Sequence, residues 1–301
     1  MGRTTLRGQI YRALDAIDRR GESKHLAKQE QNWKPGDPVY GIFSNGTQNT
    51  VFDRAMTFAN WLKENHPDIR LFRDVDEENV REFMAEKTAD CQPNTVQALL
   101  SALRKLQEGL LVMRWICEPI VPDEWAVNGH NIPRGAYTLE DAEVIIKRVG
   151  ERSSEYAQVL RFILASGARI DEVFHLRSDK VFVSECKAEL LGKGGKTRRI
   201  RVLQPGVLLD VDRKERFVYL DKTTAKTWKE GLRRAVRKTC DELGIQRRGV
   251  HGFRGTAACE FVRVKELLGY DEAEARRELA RWLGHNPHRT EVTYAYVSRN
   301  R

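Results

Sequence analysis

The sequence lacks the features that mark membrane, secreted and metal-binding proteins. No run of 18 or more apolar residues occurs among its 301 residues, so no membrane-spanning helix is predicted. The N-terminus has no apolar signal core, which favours a cytoplasmic protein. The five cysteines are scattered and form no CxxC pair, so the sequence predicts neither a disulfide framework nor a zinc site.

Acidic residues are scarce relative to basic ones in the second part of the chain. Residues 1–130 carry 17 Lys and Arg against 19 Asp and Glu, whereas residues 131–301 carry 35 against 24. A basic half of this kind favours a polyanionic partner, either nucleic acid or an anionic membrane. The membrane is the weaker alternative, because no basic amphipathic helix with a broad apolar face is evident.

A segment rich in proline and glycine divides the chain. Residues 119–137 contain three prolines, two glycines and no sustained periodicity, so they are predicted to be a linker. Before the linker, apolar residues recur at three- and four-residue steps, which predicts a helical extension over 1–44 and a helical bundle over 45–118. Within this part, residues 1–30 are predicted to form one helix and residues 31–50 a loop. Residues 138–301 form the second predicted domain.

The second domain is predicted to be mostly helical with one small antiparallel sheet. Thr138 has the position of a helix N-cap, with acidic residues in the following turn. The stretches KVFVSECKAEL and TRRIRVL flank a glycine-rich turn, and Ile200 and Val202 alternate with arginines, which is typical of a hairpin. The fold class is therefore mainly α, with a mixed α+β second domain.

The glycine turn GKGGKTRRIRV, residues 192–202, carries two lysines and three arginines. A phosphate-binding P-loop needs a glycine where this sequence has Leu190, and it joins a strand to a helix rather than to a second strand. The P-loop is therefore disfavoured. Two interpretations remain, a solvated basic hairpin and a lysine-tipped hairpin that reaches into DNA.

Three further motifs each have an ordinary alternative. In HGFRGTAA, His251 and Arg254 share a helix face if a helix begins there, which makes either an anion site or a surface pair. In ASGARIDEV, Glu172 stands one turn after Arg169 and either orients it or forms a surface ion pair. WLGHNPHRTEVTYAYV predicts a last helix whose tyrosines either react or pack on the core.

In combination these motifs resemble the tyrosine recombinases, the phage-integrase and Xer-like group. The ordered set is an arginine with a glutamate three residues later, a GKG hairpin, HxxR, LGH, and a tyrosine nine residues past that histidine. The likeness covers 138–297 strongly and 45–115 weakly, where the helices resemble the family's SAM-like core-binding domain. It implies the recombinase catalytic fold over 138–301.

The resemblance implies an enzyme that cleaves and rejoins DNA through a 3′-phosphotyrosyl intermediate, without metal, ATP or another cofactor. Tyr294 would be the nucleophile, and Arg169 and Arg254 would clamp the phosphate bidentately. His285 would donate to the same phosphate, and His251 would handle the tyrosine proton. The expected partner is a double-stranded recombination site bound by a homotetramer, and no membrane.

The remaining roles follow from the same resemblance. Lys193, rather than Lys196, would protonate the leaving 5′ oxygen from the hairpin tip. Glu172 would orient the site without touching the phosphate. Arg198, Arg199 and Arg201 are predicted to contact the DNA backbone or solvent.

Tyr294 is preferred to Tyr296 because it fits the spacing from LGH, and residues two apart on a helix point about 200° apart. Two departures from the family pattern stand out. About 30 residues separate Arg254 from His285, and only seven follow Tyr294, so residues 1–30 are a candidate for subunit coupling. The alternatives are an inactive DNA-binding regulator, a type IB topoisomerase and a telomere resolvase.

Overall fold

The computed structural model describes residues 5–34, 37–129, 135–192, 195–212, 222–286 and 293, with only the backbone of 210–212 and 222–225. Over these residues the chain is mostly helical with one three-stranded antiparallel sheet, so the predicted fold class is confirmed. The chain divides into two compact units, Met1–Ile132 and Pro133–Arg301. No helix among the described residues has both the length and the apolarity to cross a bilayer.

The first unit is a helical bundle built on one core. Leu6 and Ile10 of the first helix are buried in the same apolar cluster as Phe58 and Leu103. The segment predicted to be an extension, 1–44, thus contributes its first helix to the core of the bundle. The helices are α1 Leu6–Ala16, α2 Lys24–Glu30, α3 Asn45–Asn65, α4 Glu77–Asp90 and α5 Pro93–Val112.

Two local predictions in this unit were wrong. Residues 1–30 were predicted to form one helix, whereas the described residues 5–30 contain two, because Gly21 takes a left-handed φ of 95° between them. The predicted loop over 31–50 ends at Ser44, whose hydroxyl caps α3 by accepting a hydrogen bond from the N–H of Thr47 at 3.1 Å.

The second unit carries the sheet and seven α-helices among its described residues. The Oγ1 of Thr138 accepts a hydrogen bond from the N–H of Asp141 at 3.0 Å, which confirms the predicted N-cap. The strands pair in the order β1-β2-β3, with Leu190 opposite Arg198, as the hairpin predicts. The elements are α6 Leu139–Gly150, α7 Ser154–Ser166, α8 Ile170–Phe174, β1 Val181–Phe182, β2 Lys187–Leu191, β3 Thr197–Arg201, α9 Val207–Asp212, α10 Lys222–Leu243, α11 Gly249–Leu267 and α12 Glu272–Trp282.

Helices α7 and α11 form the centre of the second unit and position the candidate site. Phe162 of α7 and Phe253 of α11 are fully buried in its core. The C-terminus of α7 leads directly into α8, and α11 begins at Gly249, so HxxR lies within its first two turns. The indole of Trp282 stacks on Phe261 with 4.7 Å between ring centroids, which ties the end of α12 to α11.

Candidate active site

A cleft of about 830 Å³ in the second unit brings three of the predicted catalytic residues together. Arg169, His251 and Arg254 all line it. The lining contains seven arginines but only two carboxylates, those of Asp171 and Glu230. The field inside therefore favours an anion.

Arg169 stands at the N-cap of α8, with its side chain 36% exposed. Its backbone N–H donates to the Oε2 of Glu172 at 2.7 Å, and its Nη1 donates to the Oε1 at 2.9 Å. Glu172 is the third residue of α8, where a glutamate commonly accepts from the N-cap N–H. The two bonds fix the guanidinium at the wall of the cleft while leaving a third of the side chain accessible.

Glu172 is a buried carboxylate, 2% exposed, that three arginines surround. Besides Arg169, it accepts from the Nη1 of Arg198 at 2.5 Å and from its Nη2 at 2.8 Å. The Nη1 of Arg254 lies 4.0 Å from its Oε2. Burial raises the pKa of the Glu172 carboxyl, but the hydrogen bonds from Arg198 and the Arg169 N–H outweigh it, so the pKa lies below its usual value.

Arg254 forms the floor of the cleft and is 1% exposed. Its Nη1 donates to the carbonyl oxygen of Gly167, and its Nη2 donates to the carbonyl oxygen of Leu283 at 2.8 Å. Main-chain oxygens of two segments thus hold the guanidinium. Almost none of the surface of this guanidinium is accessible from the cleft.

His251 is the third residue of α11, and its side chain is exposed at the cleft. Because Arg254 follows one turn later, the two side chains share a face of the helix, as HxxR predicts. The two side chains differ in exposure: the imidazole of His251 is open to solvent, whereas the guanidinium of Arg254 is buried in the floor of the cleft.

His285 follows the C-terminus of α12 in a Schellman turn. Its N–H donates to the carbonyl oxygen of Ala280 at 2.8 Å, and the Gly284 N–H donates to that of Arg281 at 3.0 Å. Gly284 has a left-handed φ of 74°, which glycine adopts at little cost. The LG of LGH therefore ends the helix and presents the histidine immediately after it.

Lys193 and Tyr294 lie outside the described residues, as does the alternative Tyr296. Their assignments remain predictions. Lys196 is described and exposed, and its carbonyl oxygen accepts a hydrogen bond from the Gly192 N–H at 2.7 Å across the hairpin.

The three arginines predicted to contact DNA point in different directions. Arg199 and Arg201 are exposed, and Arg199 donates to the Oε1 of Glu185 at 2.7 Å. Arg198 instead points inward to Glu172, so its contacts differ from the predicted ones. The reason is that side chains alternate along β3, and Arg198 shares its face with the buried Ile200.

Five arginines of the cleft were missed by sequence reasoning. Helix α10 contributes three of them, and the segment at the start of α11 contributes two. For the three on α10, the signal was the basic run LRRAVRK, in which Arg237 stands four and three residues after the other two arginines. These residues are Arg233, Arg234, Arg237, Arg247 and Arg248.

We compared the sequence and the fold of this chain with those of known proteins. No family model matches the chain. Over 162 residues it is 23% identical to tyrosine recombinase XerC of Staphylococcus saprophyticus, covering 52% of this chain and 54% of that protein. The match thus spans about half the length of this curated relative.

Three solved structures share the fold at low identity. A XerH site-specific recombinase bound to a palindromic difH substrate aligns with a TM-score of 0.61 and 14% identity, over 97% of this chain and 91% of that one. A lambda integrase dimer bound to a COC′ core site gives 0.64 and 15%, over 99% and 78%. The Tn1549 transposon integrase in complex with circular intermediate DNA gives 0.54 and 12%, over 97% and 94%.

Proposed function

We propose, from the premise that this chain has the fold of the tyrosine recombinases, that it is a site-specific recombinase that cleaves and rejoins DNA through a 3′-phosphotyrosyl intermediate. One observation carries the proposal. Arg169, His251 and Arg254, which the sequence pattern selects from distant positions, line a single cleft rich in arginine. A solvated surface pair would not require this convergence.

In the proposed cleavage step, the hydroxyl oxygen of Tyr294 forms a bond to a DNA phosphorus, and the bond from phosphorus to the 5′ oxygen breaks. The tyrosine proton goes to the imidazole of His251, which acts as the general base. Lys193 gives a proton to the departing 5′ oxygen. The phosphotyrosyl bond conserves the energy of the phosphodiester, so the reverse attack by a 5′ hydroxyl rejoins DNA without ATP.

The arginines of the cleft would stabilise the charge that builds on the phosphate oxygens. Arg169 is partly exposed and can donate two parallel N–H groups to an oxyanion. Arg254 would join it when the cleft floor moves, exchanging a backbone carbonyl for a phosphate oxygen. His285 would supply a further donor from the Schellman turn after α12.

The substrate would be double-stranded DNA, with a homotetramer assembling on two sites and no membrane involved. Arg233, Arg234 and Arg237 would neutralise phosphates beside the scissile one, because they line the same cleft from α10. Residues 45–118 would act as the core-binding domain. The protein would act in the cytoplasm, on DNA of a mobile element or chromosome.

A duplex with a nick beside the scissile phosphate tests the chemistry, because the short product diffuses away and traps the intermediate. We expect a protein–DNA adduct on a denaturing gel that Tyr294→Phe abolishes and Arg169→Ala strongly reduces. Tyr296→Phe is the matched control and should keep the adduct.

The adduct assay, together with a supercoiled plasmid as a second substrate, separates the alternatives. Tight DNA binding without an adduct would overturn the proposed enzymatic function and favour a DNA-binding regulator. An adduct together with relaxation of supercoiled DNA and no strand exchange would favour a type IB topoisomerase. Hairpin products at both ends would favour a telomere resolvase.

A further inference from the structure

Strand β3 turns one of its arginines into the protein. Thr197, Arg199 and Arg201 are exposed, whereas Ile200 is 3% exposed. Arg198 occupies the face of Ile200, and its side chain is 14% exposed. An inward arginine needs partners for its N–H groups, since an unpaired buried charge is costly.

The partners of Arg198 belong to two segments of the candidate site. Its Nη1 and Nη2 donate to the two carboxylate oxygens of Glu172 at 2.5 and 2.8 Å. Its Nε donates to the carbonyl oxygen of Trp282 at 3.2 Å. One guanidinium on β3 therefore connects α8, whose N-cap is Arg169, to the turn that carries His285.

Gly284 provides the space for this connection. A Cβ built on Gly284 would lie 2.9 Å from the Nη1 of Arg198 and 3.1 Å from its Cζ. The guanidinium thus lies against the backbone of the Schellman turn. The glycine of LGH therefore does more than end the helix. Because it has no side chain, the guanidinium of Arg198 can pack against the residue that precedes His285.

We propose that Arg198 is a positioning residue that holds Glu172, and through it Arg169, in a fixed relation to the turn bearing His285. This inference rests on the proposed function for its catalytic consequence, although the positioning itself needs no DNA. Arg198 also stands five residues after Lys193, so the same side chain anchors the strand that leaves the hairpin.

The chemistry of the site calls for arginine and not for a general cation. A guanidinium is planar and presents parallel N–H groups to both oxygens of a carboxylate while Nε donates elsewhere. The ammonium group of a lysine is a point charge and cannot reproduce this arrangement. Arg198→Lys would keep the charge but lose the connection between Glu172 and Trp282.

Hydrogen exchange of the full chain without DNA tests the positioning. We expect Arg198→Gln and Arg198→Lys to speed amide exchange in peptides covering 168–174 and 282–286. Arg177→Gln is the matched control, because Arg177 pairs with Asp179 on the surface at 3.0 Å. Equal exchange in all four proteins would overturn the inference, whatever the enzyme does.

Adduct formation on the nicked duplex tests the catalytic consequence. At saturating DNA we expect Arg198→Gln and Arg198→Lys to slow the adduct by about 100-fold, because small misplacements of reacting groups have effects of this size. The dissociation constant for DNA should change by less than about threefold, because the guanidinium is engaged inside the protein. A DNA contact would instead weaken binding and lower its salt dependence.

The outcomes separate this inference from the proposed function. Suppose that amide exchange is faster in the Arg198 variants but that the wild-type protein forms no adduct. This result would support the positioning role of Arg198 and would overturn the proposed recombinase function. A wild-type adduct with unchanged rates in both variants would overturn the catalytic part of the inference. Weaker DNA binding at an unchanged saturating rate would restore the predicted role of Arg198 as a DNA contact.

Discussion

The Nη1 of Arg276 lies 3.4 Å from the Oγ1 of Thr293, and both residues are buried. Arg276 belongs to α12, where its Nε also donates to the Oε1 of Glu272 at 2.8 Å. Thr293 immediately precedes Tyr294 in the sequence. Helix α12 thus holds the position next to the predicted nucleophile through a buried polar contact.

Arg276→Met should therefore lower the free energy of unfolding by about 1–3 kcal/mol, the usual cost of removing one partner of a buried polar contact. Urea unfolding measures this loss. Arg277→Gln is the neighbouring control, because Arg277 is exposed on the same helix, and it should change the free energy by less than about 0.5 kcal/mol. Equal stability of the two variants would contradict the contact.

Glu172 predicts a pH dependence of stability. Its pKa is lowered in the folded protein, so it contributes stability above the unfolded pKa of about 4.3 and loses it as the pH falls through the folded value. Glu172→Gln should cost about 3 kcal/mol at pH 7, because it leaves buried arginines without their counter-charge. The difference in melting temperature between wild type and variant should shrink below about pH 4. A constant difference would show that the charge of Glu172 is not the cause.

The arginines of α10 predict how DNA binding responds to salt. If Arg237 neutralises a phosphate, Arg237→Gln should weaken binding equally for all sequences and reduce the salt slope by about 1. Fluorescence anisotropy over a range of salt concentrations measures both effects. Arg263→Gln serves as the control, since Arg263 is exposed on α11 and paired with Glu260 at 2.8 Å. A slope that falls equally in the control would show a general charge effect.

The cysteines predict a pattern of thiol reactivity. Cys240 is fully buried, and this burial raises the pKa of its thiol, which lowers the fraction of reactive thiolate. Cys117 is exposed. Iodoacetamide labelling followed by peptide mass spectrometry should therefore find Cys117 modified well before Cys240. The reverse order would mean that the core between α6 and α10 opens readily.

Local patterns determined much of the second unit in advance. The alternation of Ile200 and Val202 with arginines predicted the strand, and the glycine turn predicted its antiparallel partner. Thr138 predicted the start of α6. These features depend on neighbours within a few residues, which is why the sequence alone was sufficient.

The features that were missed depend on tertiary packing. The inward direction of Arg198 was implied by its two-residue step from Ile200, but its carboxylate partner lies 26 residues away. The arginines of α10 and Arg169 are far apart in the sequence and line the same cleft only in the folded unit. Likewise, the spacing of apolar residues in α1 indicated a helix, but it did not indicate that Leu6 and Ile10 are buried in the core of the bundle.

The floor of the cleft has a consequence for how freely the surrounding sequence can vary. Arg254 is anchored by the peptide oxygens of residues 167 and 283, and every amino acid supplies such an oxygen. A substitution at Leu283 that preserves the local backbone would leave the anchor in place. Residue 167 is less free, because Gly167 has a left-handed φ of 59° and a Cβ there would lie 2.5 Å from the indole of Trp282. Of the two anchors, the one at residue 283 should therefore tolerate sequence change more readily than the one at residue 167.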